Sequence, residues 1–526
     1  MDDRSSVAAR LRAWRGMFLI LFAVTFGLRV VIACTLSPFG DEAFYWQESL
    51  APAWGYSDLP PLTAWLIGAS EAVFGHGLLP MRLPFLLIGA AIPFQVRAIA
   101  RRHADDAAGW QAGTLAQCLP LAGSLGVLAV PDVPLTFAVL LAMQGLLGAL
   151  DDGCWRDWCL LGVGLALAWA THYRAAMPML GGLVFLLATP RGRAQWRKPG
   201  LWIAMGIAAL GLLPIVIYNL QADGAGVAFQ LVERNPWRFH ADALAQPLEQ
   251  AATCTPVAYV ALLWMAWRAW RRRGEAPFDA IASIAGTFIV AYFLLGLFAD
   301  DVRFRVHWPL PGYLLLCAAW PSLPSSSAWR RIVHAGFALA LAGLLAGFGW
   351  LGLAASGDGA RVLANLKAFP SNFTGWRESA AVLQGELLHD SGALVVADNF
   401  MLAAELRFAL GGPRTVYSLD SPLNAKHGRA PQLAAWRIDE AGLAMHAGQR
   451  VILVVDETSL RERETRDWLG SICARVDIVR PLSRLDLFDG RRRIAFYDAV
   501  ARAAPDVPRN TDQCVIWMAA YRAMPR

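Results

Sequence analysis

Two adjacent carboxylates, Asp41 and Glu42, stand in the run Gly40-Asp41-Glu42-Ala43-Phe44-Tyr45-Trp46, directly after an apolar stretch that ends near Pro38. Acids at the edge of a membrane are costly to keep, so a pair of them points to chemistry. A positioned carboxylate can take the proton of an attacking hydroxyl. The chain continues through Trp54-Gly55-Tyr56-Ser57-Asp58-Leu59-Pro60-Pro61-Leu62 before the next apolar run begins, so residues 38–79 read as a catalytic loop at a membrane surface. The patterns over 42–50 and 62–74 predict two amphipathic helices lying in the interface, separated by Pro60-Pro61. An ordinary interfacial belt accounts for Phe44, Trp46, Trp54 and Trp65 in a chain with 22 Trp, but it does not account for Asp41, Glu42 and Asp58. Tyr45, Tyr56 and Asp58 are the loop's candidate substrate contacts.

The elements that must carry this loop are membrane helices. With 56% hydrophobic residues, 17% charged residues and a mean hydropathy of +0.40, the chain is excluded from the ordinary soluble class. Apolar stretches run through 17–37, 80–98, 107–130, 132–150, 157–171, 175–189, 200–219, 251–268, 278–298, 307–321 and 332–354, which predicts eleven crossings. The first reads as a retained anchor, because no small-residue cleavage site follows it. Arginines recur in alternate loops: Arg10, Arg12 and Arg15; Arg97, Arg101 and Arg102; Arg191, Arg193, Arg197 and Lys198; Arg268 and Arg271 to Arg273; Arg330 and Arg331. That alternation places the N-terminus in the cytoplasm and, after an odd number of crossings, the C-terminus outside. Much of the net charge of +6 is therefore topogenic, and no nucleic-acid partner is implied.

This topology puts Asp41-Glu42, Asp132, Thr171-His172-Tyr173-Arg174 and the stretch holding Arg303, Arg305 and His307 on the outer face. Snorkelling at a helix end accounts for any one arginine. The collection of acids and cations on one face favours a site. Residues 355–526 are more polar, with strand-like runs at 393–397, 450–455, 476–479 and 493–497 and helical patterns at 402–410 and 460–469. The expected architecture is a polytopic α-helical membrane domain over 1–354 and a small α/β domain outside the membrane over 355–526. Cys473 and Cys514, alone in that tail, are candidates to pair in an oxidising compartment. No glycine-rich phosphate loop follows a strand on the cytoplasmic side, which weakens an ATP-driven pump. An outward-facing enzyme needs an activated donor delivered through the membrane, and a lipid-linked phosphate meets that need.

Several elements together resemble the protein O-mannosyltransferase-like superfamily of type C glycosyltransferases: the Asp41-Glu42 loop with its Trp54-to-Pro61 continuation, Asp132-Val133-Pro134-Leu135, Thr171-His172-Tyr173-Arg174-Ala175, Leu213-Pro214-Ile215-Val216-Ile217-Tyr218-Asn219 and His307-Trp308-Pro309. The tail segment Ala404-Glu405-Leu406-Arg407-Phe408-Ala409-Leu410 is similar, less specifically, to the outer domain of the bacterial branch. The resemblance implies an inverting transferase of the bacterial inner membrane that takes a sugar from a polyprenyl phosphate. Its bacterial members include aminoarabinose and galacturonic acid transferases that modify lipopolysaccharide. One departure stands out: where the family usually has Lys-Tyr-Thr, this chain has His172-Tyr173-Arg174.

The chemistry agrees with that resemblance. A sugar on a lipid phosphate already has a leaving group, so the enzyme needs one carboxylate base and cations for the departing phosphate. The second acid of a glycosidase is not required. Asp41 is the expected base, with Glu42 shaping the site or holding the acceptor, and Asp132 orienting the sugar, holding a metal or supporting Asp41. His172, Arg174, Arg303, Arg305 and His307 are the expected phosphate contacts. A divalent cation is left open, with Asp132 and Glu42 as its candidate ligands. The acceptor is a lipid, a glycan or, for a protein O-mannosyltransferase, a protein. A secondary transporter would place such charges near the midplane within repeats, which this sequence does not show; a scaffold leaves the loop acids without a role.

Overall fold

The computed structural model describes residues 2–222, 224–233, 238–298, 306–366, 369–458, 465–503 and 511–523. It forms two compact units, Met1–Cys34 with Pro52–Trp350, and Thr35–Ala51 with Leu351–Arg526.

The first unit is helical. Among its described residues, Ser6–Thr35, Leu78–Arg102, Asp132–Asp152, Pro199–Gln221 and Phe278–Gly296 are long and apolar enough to cross a membrane, and Ser327–Ala354, which runs to the unit's end, makes the sixth such helix. The remaining predicted stretches are also helical but shorter, at Asp106–Cys118, Trp155–Thr171, Ala176–Ala188, Pro256–Arg271 and Leu310–Ala319. Asp132–Asp152 and Trp155–Thr171 form a hairpin so close that a Cβ on Gly145 would lie 2.3 Å from the Leu161 nitrogen, and one on Gly164 would lie 2.5 Å from that of Ala142. Small residues at such a seam let backbones approach where lipid offers no hydrophobic drive. At the arginine-rich helix ends, Arg102 pairs with Asp151 (3.0 Å) and Asp152 (2.6 Å), and Arg191 with Asp151 (2.7 Å). Two arginines that the sequence pattern does not single out are buried. Arg29 donates to the Leu125 carbonyl at 3.0 Å and Arg82 to that of Ala33 at 2.9 Å. Each uses a helix-end carbonyl, which partly offsets the cost of burying the guanidinium.

The second unit is built on a five-stranded sheet of β1 (Leu394–Ala397), β2 (Val416–Ser418), β3 (Arg450–Asp456), β4 (Val476–Leu487) and β5 (Arg492–Ala501), in the order β2-β1-β3-β5-β4. β1 runs parallel to β2 and β3, whereas β5 is antiparallel to β3 and β4. One face buries Val395, Ala397, Ile452, Val454, Ile494 and Phe496 under the Trp376–His389 helix. The other buries Val396, Val451, Leu453, Val455, Tyr497 and Ala499. Alternate residues of each strand thus feed opposite cores, as the pleat requires. β2, at three residues, is too short for its alternation to be read from sequence. β4 runs well past the predicted 476–479, and its register shifts on either side of Arg480-Pro481 mark an irregular edge strand, where proline is tolerated. The pattern at 460–469 becomes a helix over Thr465–Arg475, with 459–464 outside the described residues. A disulfide joins Cys473 to Cys514 and so ties that helix to Asp512–Ala523.

The predicted helix at 42–50 exists as Gly40–Ser49, but it is not an interfacial one. Every residue in it except Asp41 is buried. Ala43 and Phe44 enter the second unit's core, Phe44 meets the Phe400 ring edge-on at 5.4 Å, and Trp46 meets Phe408 at 5.0 Å. A Cβ on Gly40 would lie 2.9 Å from the Met401 side chain, so glycine allows the helix to settle on Phe400–Ala409. The aromatic run that suits an interface suits a protein core equally well, and the pattern alone does not separate the two.

Candidate active site

Asp41 and Glu42 occupy the first turn of Gly40–Ser49, where a helix N-terminus favours negative charge. Their roles diverge at once. Glu42 points inward, and its Oε2 accepts the Phe39 backbone N–H at 3.3 Å, closing the helix start as a capping glutamate does. Asp41 lies at the boundary, with 22% of its side chain exposed. Its Oδ1 faces Arg429 Nη2 at 3.4 Å and His427 Nδ1 at 3.8 Å. Oδ2 has no partner among the described residues, so one oxygen is anchored while the other is available to a proton.

Arg429 is the residue the sequence reading misses. Its other Nη1 reaches Glu48 Oε1 at 3.2 Å, and the side chains of Arg429 and Glu48 are 3% and 2% exposed. Asp41, Phe44 and Glu48 follow one another at i, i+3 and i+7, a single stripe of the helix. The guanidinium spans that stripe, 4.3 Å from the Phe44 ring centre and 5.0 Å from that of Tyr45. An arginine can bridge two carboxylates and stack on an aromatic face at once, which a lysine cannot. Arg429 is delivered by a short loop that Asn424 fixes. Buried Asn424 accepts from the Phe400 N–H at 3.0 Å through Oδ1 and donates through Nδ2 to Ser418 Oγ at 3.1 Å and the Leu419 carbonyl at 3.0 Å. No local pattern around Arg429 in the sequence marks it, because its partners lie 381 and 388 residues away.

A second acidic pair in this unit, Asp398 and Asp456, sits at the ends of the parallel strands β1 and β3, where open α/β sheets commonly bind ligands. Burial, and then the neighbouring Asp456 charge, pushes the Asp398 carboxyl well above its ordinary value. Its oxygens accept from Asn399 Nδ2 and the Asp456 N–H, and Asp456 pairs with Arg492 at 3.2 Å. The pair is thus committed to closing the sheet's end.

In the first unit, Asp132 opens the Asp132–Asp152 helix, and its Oδ1 is shared by Arg174 Nη2 at 2.8 Å and His307 Nε2 at 3.2 Å. Trp308 flanks this group with its ring centre 5.4 Å from the Arg174 guanidinium. Tyr292 in turn meets Trp308 at 5.4 Å. The structure therefore brings together Asp132, Arg174 and His307. His172 Nδ1 accepts the Arg174 backbone N–H at 3.0 Å, so that it caps the turn that presents Arg174. Tyr56 closes a tight turn through its N–H to the Leu59 carbonyl at 2.9 Å, and the Asp58 carbonyl accepts from Gln230 at 2.7 Å. Arg303 and Arg305 lie outside the described residues. Among the described residues, no group of three or more His, Cys, Asp or Glu side chains is placed to hold a metal ion.

Residues 58–218 match the family model for dolichyl-phosphate-mannose-protein mannosyltransferase. The chain is 27% identical over 297 residues to the lipid A galacturonosyltransferase RgtD of Rhizobium johnstonii, covering 54% of this chain and 61% of that protein. It is 28% identical over 247 residues to the undecaprenyl phosphate-alpha-4-amino-4-deoxy-L-arabinose arabinosyl transferase of Pseudomonas aeruginosa, covering 42% of each. The match thus spans less than two thirds of either relative. In fold, the chain superposes on ArnT of Cupriavidus metallidurans bound to undecaprenyl phosphate with a TM-score of 0.64 and 16% identity, covering 95% of this chain and 100% of that one. A helical unit with long apolar helices and a small sheet domain are thus the fold this chain shares with that structure. The matched segment, residues 58–218, carries Asp132 and Arg174 within it.

Proposed function

We propose that the protein is an inverting glycosyltransferase of the bacterial inner membrane that moves a sugar from a polyprenyl phosphate to an envelope acceptor such as lipid A. In this reading the acceptor hydroxyl attacks the anomeric carbon as its proton passes to Asp41. The bond from that carbon to the phosphate oxygen breaks, and polyprenyl phosphate departs. The observation that carries the reading is Asp41 itself, the one residue of an otherwise buried helix that meets solvent, with one oxygen anchored by a buried arginine. Arg429 is then a positioning residue, acting through Asp41 and Glu48. Arg174, held by Asp132 and backed by Trp308, is the phosphate contact best supported among the described residues. The relatives named above favour a lipid acceptor over a protein one.

The reaction is tested by mass spectrometry of envelope glycolipids and glycoproteins from a strain lacking the protein. Loss of one sugar from lipid A is expected, and an unchanged lipid A with an altered glycoprotein would transfer the reading to a protein O-mannosyltransferase. Arg174→Ala should weaken binding of the lipid-phosphate donor roughly tenfold or more, since a charge-assisted contact is worth about 1.5 to 3 kcal/mol. Titration of purified protein with donor checks this, and parental affinity would move the phosphate site elsewhere.

The proposed topology has eleven crossings, a cytoplasmic N-terminus and residues 355–526 in the periplasm. The alternating arginine loops support it, as does the Cys473–Cys514 disulfide, a bond that persists in oxidising compartments. Reporter fusions at about residues 104, 195 and 400 should read inside, inside and outside. An inside signal at 400 would remove Asp41 and the sheet domain from any periplasmic reaction.

A further inference from the structure

A cavity of about 330 Å³ lies within the first unit, lined by Val139, Met143, Leu165, Phe185, Trp196 and Trp202 among other apolar side chains. Its volume falls in the range of small-molecule sites. It is not closed: Leu180, Leu183, Trp196, Trp202 and Met205 line it and are also exposed, so it opens onto the unit's outer surface. Its helices include three that are long and apolar enough to span a bilayer, so that surface faces lipid tails.

One end of the cavity has a different character. Trp196 and Trp202 contact each other at 5.9 Å, and both indoles are held by backbone, Trp196 Nε1 donating to the Leu186 carbonyl at 3.3 Å and Trp202 Nε1 to that of Trp196 at 3.1 Å. Indoles fixed in this way suit the headgroup level of a bilayer. Directly beside them in the chain stand Arg193, Arg197 and Lys198, all exposed. Neighbouring arginines on the same face are neutralised, Arg102 by Asp151 and Asp152 and Arg191 by Asp151. Arg193, Arg197 and Lys198 have no carboxylate partner among the described residues. Arg193 instead donates to the Leu187 carbonyl at 3.0 Å, which holds its charge over the end of the helix that forms the cavity wall.

From this sequence of apolar cavity, paired indoles and unneutralised cations, we infer that the groove is a binding site for an anionic phospholipid, with an acyl chain in the cavity and the phosphate at Arg193, Arg197 and Lys198. The cations alone are what any arginine-rich loop would show. The cavity alone would take any acyl chain. Their adjacency selects a lipid with negative charge at the headgroup, and basic pockets between membrane helices are known to take such lipids. The site does not depend on the proposed reaction, and it lies at the arginine-rich helix ends.

Gly182 gives a means of testing it, because it lines the cavity and a Cβ placed on it meets nothing within 4 Å. Gly182→Phe should therefore fill the cavity without a clash at the backbone. Native mass spectrometry of the full chain in detergent, with cardiolipin, phosphatidylglycerol and phosphatidylcholine of matched chains, should show tight retention of the two anionic lipids. The triple variant Arg193→Gln/Arg197→Gln/Lys198→Gln should bind them about tenfold or more weakly while leaving phosphatidylcholine unchanged. Gly182→Phe should lose all three lipids and remain monodisperse. Equal retention of phosphatidylcholine and cardiolipin by the parent, or parental cardiolipin binding by either variant, would overturn the inference. So would displacement of cardiolipin by millimolar inorganic phosphate, which would make the cations a free-anion site.

Discussion

Asp41→Asn should abolish transfer while leaving a folded protein that still binds its donor. The substitution keeps the volume and leaves an oxygen to face Arg429, but it removes the basicity of the outward oxygen. Losing a positioned base slows such a step by about 10² to 10⁴-fold. Glu42→Gln should behave differently, because Glu42 accepts the Phe39 N–H from a buried position and serves the helix start. Its expected cost is in stability, roughly 0.5 to 2 kcal/mol for a weakened cap, with little change in turnover of the folded fraction. Asp132→Asn should lower donor affinity, since it releases Arg174 and His307 together. Transfer assays in liposomes at matched protein levels separate these outcomes. Near-parental transfer by Asp41→Asn would exclude it as the base, and an inactive Asp132→Asn with intact donor binding would pass that role to Asp132.

What the sequence makes legible follows the range of the interactions involved. Apolar helices are written in local composition: six of the eleven expected stretches are helices long and apolar enough to cross a membrane, and the others are shorter helices among the described residues. Asp41, Asp132, Arg174 and His307 stand out because charge is conspicuous beside apolar runs. What sequence cannot show is the partner each one takes. The Gly40–Ser49 helix reads as interfacial because its aromatics are local, whereas the Phe400–Ala409 helix that buries them is about 360 residues further on. His172 stands out by its position, but that its Nδ1 accepts the Arg174 N–H and caps the turn at Tyr173–Ala175 is not written in the local pattern. Arg429 lies in an unremarkable polar stretch and gains meaning only when the loop held by Asn424 brings it to Glu48 and Asp41.

Arg429 therefore carries the other large expected effect, and the difficulty is to separate its positioning of Asp41 from its part in the core. Arg429→Met leaves Glu48, 2% exposed, without the cation that now faces it. Removing one partner of a buried pair costs about 3 to 5 kcal/mol, so this variant should unfold much more readily as well as lose activity. That result alone would not distinguish the two roles. Arg429→Met with Glu48→Gln removes both charges of the buried pair, and replacing such a pair by apolar or neutral groups is often close to neutral for stability. The double variant should regain most of the lost stability yet stay slow, because Asp41 has lost the guanidinium that holds its Oδ1. The loss should fall on kcat, with KM for the lipid-linked donor nearly unchanged. Arg429→Lys should recover part of the rate, since it restores a cation but not the fork that reaches two carboxylates. If the double variant transferred sugar at the parental rate, Arg429 would be a core residue with no part in the reaction.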